Sequence, residues 1–271
     1  MENSILSPAQ VVTAYGDAGA KKCSKAPLSV FLLAVLAGAM IAFAGAATST
    51  ASHTAGTLGA SKLICGMLFP FGLGMVILMG AELFTGNCLI AVSVLEKKAT
   101  MAGMLKNWVI VYLGNFVGAL LVSATCAFTG LFNASGGALA LSTLKTGVAK
   151  CSLSFSGALI LGIACNVLVC LGVLCSMTAR DTTGKILGAF LPVSLFVLCG
   201  FEHSIANMYY VPAALFAQSV PAYAALAAEA GMDLSALTWG NFFLGNLVPV
   251  TIGNIIGGAG VGILLWKGHK A

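Results

Sequence analysis

The sequence predicts an all-α integral membrane protein with six transmembrane helices in two inverted three-helix repeats, helices 2 and 5 being broken. Three observations predict it. Thirteen basic and eight acidic residues stand among 271, hydrophobic residues make up 59%, and the mean hydropathy is +1.01. A soluble domain carries roughly a quarter charged residues. Apolar blocks long enough to cross a bilayer as helices, which takes ~20 residues, follow one another along the chain. Two of these blocks contain polar interruptions of one design, spaced 120 residues apart.

The blocks run approximately 28–48, 61–80 continuing to 95, 108–132, 153–178, 186–200 continuing to 220, and 239–266. Blocks one, three, four and six read as single spans. Blocks two and five are too long for one uninterrupted helix and are read as broken spans. The division is therefore an N-terminal segment 1–27, a single six-span domain 28–266 and a tail 267–271, with repeat one at about 25–132 and repeat two at about 150–266. Ser7-Pro8 is an N-cap followed by proline at the first helical position. Residues 8–23 are thus expected to form a short helix on the membrane surface. The polar and basic first 27 residues contain no short apolar core or cleavage site of a signal peptide.

Charge placement tests the span count. With both termini cytoplasmic, Lys21, Lys22, Lys25, Lys97, Lys98, Lys106, Arg180, Lys185, Lys267 and Lys270 lie inside. Lys62, Lys145 and Lys150 lie outside. This satisfies the positive-inside rule for a multi-pass protein of a bacterial inner or plasma membrane, with membrane lipid around it. The net charge of +5 does not point to nucleic acid, because no basic run exceeds two residues. The nine cysteines form no metal pattern: Cys165, Cys170 and Cys175 wind around a helix instead of marking one face. No metal and no cofactor are expected, and a membrane enzyme would need a nucleophile, metal cluster or cofactor loop that the sequence does not offer.

The interruptions are Gly80-Ala81-Glu82-Leu83-Phe84-Thr85-Gly86-Asn87 and Gly200-Phe201-Glu202-His203-Ser204-Ile205-Ala206-Asn207, sharing the frame G-x-E-x-x-x-x-N. The spans that follow repeat a second frame, Asn107, Gly114, Asn115, Gly118 against Asn246, Gly253, Asn254, Gly257. Lys25-x-x-Leu28-Ser29 matches Lys150-x-x-Leu153-Ser154 ahead of spans one and four. Three spans per half force the halves into opposite orientations, and paired broken helices in inverted repeats point to a central transport site. The glycine and asparagine pairs of spans three and six are read as helix contacts, small residues allowing close approach and Asn bonding across it.

Non-helical backbone at membrane depth survives where it is buried in protein or lines a water-filled cavity. Glu82 and Glu202 are the only acids inside apolar blocks. Each is expected to hold its own loop by accepting backbone N–H groups freed at the break. Asn207 completes the second frame. His203 has no symmetry mate, Leu83 standing at the equivalent position, and imidazole is the side chain that changes charge near neutral pH. Thr85 offers a hydroxyl to an anion or a neutral acid. Phe69 and Leu73 approach the first break, and Phe196 lies seven residues before His203 on the same face. They suggest hydrophobic constrictions or simple packing.

At these residues the chain resembles the formate/nitrite transporter family. The likeness extends from the Lys25 region to about Trp266 and rests most on G-A-E-L-F-T-G-N (80–87) and G-F-E-H-S-I-A-N-M (200–208). The resemblance implies an aquaporin-like fold and a homopentamer with one pore per protomer. It implies hydrophobic constrictions at Phe69, Leu73, Leu83, Phe84 and Phe196, a loop threonine at Thr85 and a central pore histidine at His203. Lys25 and Lys150 match vestibule lysines, and Asn166 a polar pore-lining position. The expected function is a channel for small monovalent anions of weak acids, formate first, with hydrosulfide or nitrite as alternatives and protons as co-substrate. A water or glycerol pore also fits such a fold, but paired Asn-Pro-Ala loops are absent.

Overall fold

The computed structural model describes residues 5–270, which contain helices and no strand. Helix α1 (Pro8–Ser24) opens with a capping box: Ser7 Oγ accepts from Gln10 N, and Gln10 Oε1 accepts from Ser7 N at 2.8 Å. It packs inward, with Val11, Val12 and Tyr15 buried. Its outer edge is held by a polar cluster in which Lys98 Nζ meets Asp17 at 2.6 Å and Glu96 at 2.9 Å, while Lys270 of the last helix also pairs with Glu96. The Lys98 hydrogen bond holds the exposed Asp17 carboxyl below the usual carboxylate range.

The first repeat continues with α2 (Pro27–Ser52), α3 (Leu58–Leu68), α4 (Pro70–Leu78), α5 (Phe84–Asn87), α6 (Ile90–Leu95) and α7 (Met101–Phe128). The second comprises α8 (Ala138–Cys151), α9 (Phe155–Thr178), α10 (Thr182–Cys199), α11 (Ser204–Ser219), α12 (Pro221–Glu229) and α13 (Val248–Lys270). Among the described residues, six helical stretches are long and apolar enough to cross a membrane: Pro27–Ser52, Leu58–Leu78, Met101–Phe128, Phe155–Thr178, Thr182–Cys199 and Asn241–Lys270. Helices α11 and α12 pass the same test only as a pair, bent by 93°. The third span starts earlier than its apolar block and ends at Thr129-Gly130, where Gly130 takes φ +82 and a 3-10 segment Leu131–Gly137 follows. The sequence reading did not foresee α8, which precedes the fourth span as α1 precedes the first. It also missed the widened π-helical segment Asn241–Leu247 that starts the sixth.

Close helix contact explains the repeated glycines. A Cβ on Gly118 would collide with the carbonyl oxygen of Val35 on α2, and one on Gly257 with that of Ile163 on α9. The pairs α2/α7 and α9/α13 therefore approach backbone to backbone, as small residues permit within a membrane. Gly118→Val is expected to destabilise the fold by about 3 kcal/mol through overpacking. Gly260→Ala, a position with nothing within 4 Å, should leave stability unchanged or raised. Thermal unfolding of the detergent-solubilised protein checks both, and equal behaviour of the two variants would refute the packing argument.

Candidate permeation site

Both breaks are built alike. Two residues past α4, Gly80 takes φ +62, and Gly200, which caps α10, takes φ +75, the left-handed conformation that glycine adopts at little cost. Ala81 N then reaches back to Val76 O at 3.0 Å, and Phe201 N to Phe196 O at 3.0 Å. The extended residues that follow cross a neighbouring helix. Glu82 N donates to Leu33 O and Glu202 N to Leu161 O, each at 3.3 Å.

A single asparagine per half then closes each loop. Asn115 Oδ1 accepts from Phe84 N at 2.9 Å while its Nδ2 donates to Ala34 O and Glu82 O at 2.7 and 2.9 Å. Asn254 repeats this with Ser204 N, Gly162 O and Glu202 O at 2.9, 2.8 and 3.0 Å. These asparagines satisfy the orphan groups of the broken helices, beyond the helix-contact role read from sequence.

The glutamates are bound differently from the expectation. Their carboxylates accept side-chain donors, and the backbone N–H groups freed at the breaks go elsewhere. Glu82 accepts from Lys22 Nζ at 2.7 Å, Lys25 Nζ at 2.8 Å and Asn87 Nδ2 at 2.9 Å. Glu202 accepts from Lys150 Nζ at 2.9 and 3.1 Å and from Asn207 Nδ2 at 2.6 Å. Asn87 also donates to Asn107 Oδ1, and Asn207 to Asn246 Oδ1, at 2.9 and 2.8 Å. The frame G-x-E-x-x-x-x-N thus encodes a turn, a buried carboxylate and the amide that holds it.

The lysine frame shifts by three residues. Asn107 donates to Lys22 O, and its counterpart Asn246 to Lys150 O. The backbone bonds of Leu33 with Glu82 and of Leu161 with Glu202 give the same offset. Lys150 therefore corresponds to Lys22, not to Lys25 as the sequence match suggested, and Lys22 is a site residue that reading missed.

His203 and Thr85 bring the halves together. His203 Nε2 lies 3.0 Å from Thr85 Oγ1, and Nδ1 accepts from Ala206 N at 3.0 Å. Because Nδ1 uses its lone pair to cap α11, the ring proton sits on Nε2 and donates to Thr85. Thr85 and His203 are 0% and 3% exposed. The Thr85 carbonyl is held by Asn166 Nδ2 at 3.1 Å and Cys170 Sγ at 3.4 Å, and that of Gly86 by the Tyr15 hydroxyl at 2.8 Å. Asn166 also donates to Asn254 O at 2.6 Å, tying the first break to the sixth span. The sequence assigns no site role to Tyr15, and names Cys170 only among cysteines that form no metal pattern, since neither belongs to a repeated frame.

Apolar rings flank the pair. Phe196 stacks on His203 with ring centroids 5.8 Å apart, and Phe69 meets Phe196 edge-on at 5.8 Å. Leu73 and Leu83 line a cavity of about 130 Å³ together with Tyr15, Lys22, Gly80 and Gly86. Phe84 is placed elsewhere. Its ring packs against Trp108 and Tyr112 at 6.2 and 4.9 Å and lines an outward-facing apolar groove between α7 and α13.

Paired helix breaks in two inverted three-span halves, joined by buried polar contacts that centre on Thr85 and His203, define a multi-pass membrane transport protein of the inverted-repeat class. Residues 9–267 match the model of the formate/nitrite transporter family. The chain is 38% identical to a probable formate transporter of Methanothermobacter thermautotrophicus, over 96% of this chain and 95% of the relative. It is 39% identical to the formate channel FocA of Escherichia coli, over 97% of this chain and 94% of the relative. A solved pentameric formate channel with formate bound superimposes with a TM-score of 0.79 at 36% identity, covering 90% of this chain and 96% of that one. The chain belongs to the formate/nitrite transporter family.

Proposed function

We propose that this protein is a channel for small monovalent anions of weak acids, formate foremost, with a pore in each protomer of a homopentamer and both termini in the cytoplasm. The observation that carries the reading is the buried bond between Thr85 and His203. Two donors, a hydroxyl and an Nε2–H, converge there between apolar walls, where a dehydrated carboxylate can accept both. The identities above, to proteins described as formate channels and transporters, favour formate over hydrosulfide or nitrite.

The proposed path runs as follows. Lysines of the vestibules raise the local concentration of the anion. At the constrictions of Phe69, Leu73, Leu83 and Phe196 the anion loses water, which raises its affinity for a proton. At the site it replaces the mutual Thr85–His203 bond with one bond to each donor. A proton then reaches it through vestibule water, or from His203 after the ring has taken a second proton at Nδ1. The second course breaks the cap on Ala206 N. The neutral acid crosses the dry segment and releases its proton beyond it. Glu82, Glu202 and Asn207 hold the breaks in shape, and Asn166 fixes the Thr85 backbone.

Uptake of formate, nitrite and hydrosulfide into proteoliposomes, measured in parallel at several pH values, tests this. Formate flux is expected to rise as the pH on the donor side falls, since a proton enters with each anion. Water permeation without any formate flux would instead favour a neutral-solute pore.

A further inference from the structure

The two breaks carry one buried glutamate each, but unequal numbers of paired cations. Glu82 is met by Lys22 and Lys25, so that cluster keeps one surplus positive charge. Glu202 is met by Lys150 alone, and their charges cancel. An anion approaching the second break along Lys150 would meet a neutral pair, and the attraction assigned to that lysine would be largely spent.

A further cation stands at this mouth. Lys62 lies on α3, and its Nζ is 2.6 Å from where a Cβ on Gly200 would sit. Gly200 is the residue that ends α10 and opens the second break. Lys62 precedes Phe69 by seven residues, on the same helical face and roughly 10 Å further out. Phe69 touches Phe196, and Phe196 stacks on His203. A line of side chains thus leads from Lys62 to the buried site. The acids of the described ion pairs, Asp17, Glu82, Glu96 and Glu202, are all engaged by other lysines, and Lys62 is half-buried with no acidic partner among the described residues. With Lys62 counted, each break has two lysines to one glutamate.

We infer that Lys62 recruits the anion at the Gly200 mouth and sets the affinity for a small monovalent carboxylate or related anion entering there. This rests on the anion-channel reading. The carbonyl end of α10 gives the ammonium a resting place, from which the flexible stem can deliver it to an incoming anion.

Proteoliposomes of defined orientation, with formate uptake followed through each mouth separately, test the assignment. Lys62→Met is expected to raise the half-saturating formate concentration at the Gly200 mouth about five-fold, the worth of one solvated charge at contact. The maximal rate and the opposite mouth should stay near wild type. Lys62→Arg should restore the affinity, Lys62→Glu should weaken it further, and added inert salt should shrink the differences. Half-saturation that ignores the charge at position 62, or that moves equally at both mouths, would overturn the proposal and leave Lys62 as a cap on α10. Should Lys62→Met fail to assemble, the Arg and Glu variants decide by the same criterion. Wild-type protein that passes no formate would sink the anion-channel reading itself, and this inference with it.

Discussion

Lys150→Met is expected to destabilise the protein by about 3–5 kcal/mol, the cost of leaving one member of a buried ion pair without the other. The Glu202 side chain is 7% exposed and that of Lys150 16%. Both carboxylate oxygens of Glu202 accept from the lysine, and only neutral amide donors remain once it is removed. Lys25→Met should cost far less, about 1.5 kcal/mol, because Lys22 and Asn87 stay on Glu82. The Lys150→Met/Glu202→Gln double variant should recover most of the loss, since a neutral amide needs no counter-charge. Denaturation of the micelle-solubilised protein at pH 8 measures the cycle. Equal losses for Lys25→Met and Lys150→Met would show that the second break does not depend on its single cation.

The repeated frames made the architecture legible. Gly80 and Gly200, Glu82 and Glu202, Asn87 and Asn207 recur because each break needs a left-handed turn, a buried acceptor and an amide beside it. What the sequence concealed were partners distant along the chain. A broken helix frees its own N–H groups close by, so the glutamates were expected to take them. In the folded chain those groups instead reach Leu33, Leu161, Asn115 and Asn254, and lysines fill the carboxylates.

Register failed for a related reason. Lys25 and Lys150 share local neighbours, whereas the bonds of the surrounding helices align Lys150 with Lys22. Helix α8 escaped notice because its sequence mixes Ser, Thr, Lys and Gly with only moderate apolar content. Phe84 follows Leu83 directly, but the first residues of a helix point in diverging directions, and its ring turns to Trp108 and Tyr112. Thr85 and His203 stand out in the sequence as the difference in content between two matching breaks, but nothing there shows their direct contact. Its geometry, with the histidine capping its own helix, arises only where the two halves fold against each other.

That geometry makes the second large effect separable into its parts. Thr85→Val keeps the shape of the side chain and removes the hydroxyl. It leaves the Nε2–H of His203 facing an apolar group at a buried position, and an arriving formate finds one donor instead of two. A lost hydrogen bond to a charged group is worth about 1.5–3 kcal/mol, so formate flux should fall on the order of 10- to 100-fold. Thr85→Ser should retain most of it. His203 serves two ends, capping α11 through Nδ1 and donating through Nε2. Asparagine is among the best N-caps, so His203→Asn should fold like wild type while its flux loses the dependence on pH that an imidazole confers. His203→Phe would keep the stack on Phe196 but forfeit the cap as well, adding about 1 kcal/mol of instability. Flux against pH, measured beside thermal unfolding for all four variants, distinguishes the roles. If Thr85→Val carried formate at the wild-type rate, the hydroxyl would be a structural group only, and the two-donor site would have to be abandoned.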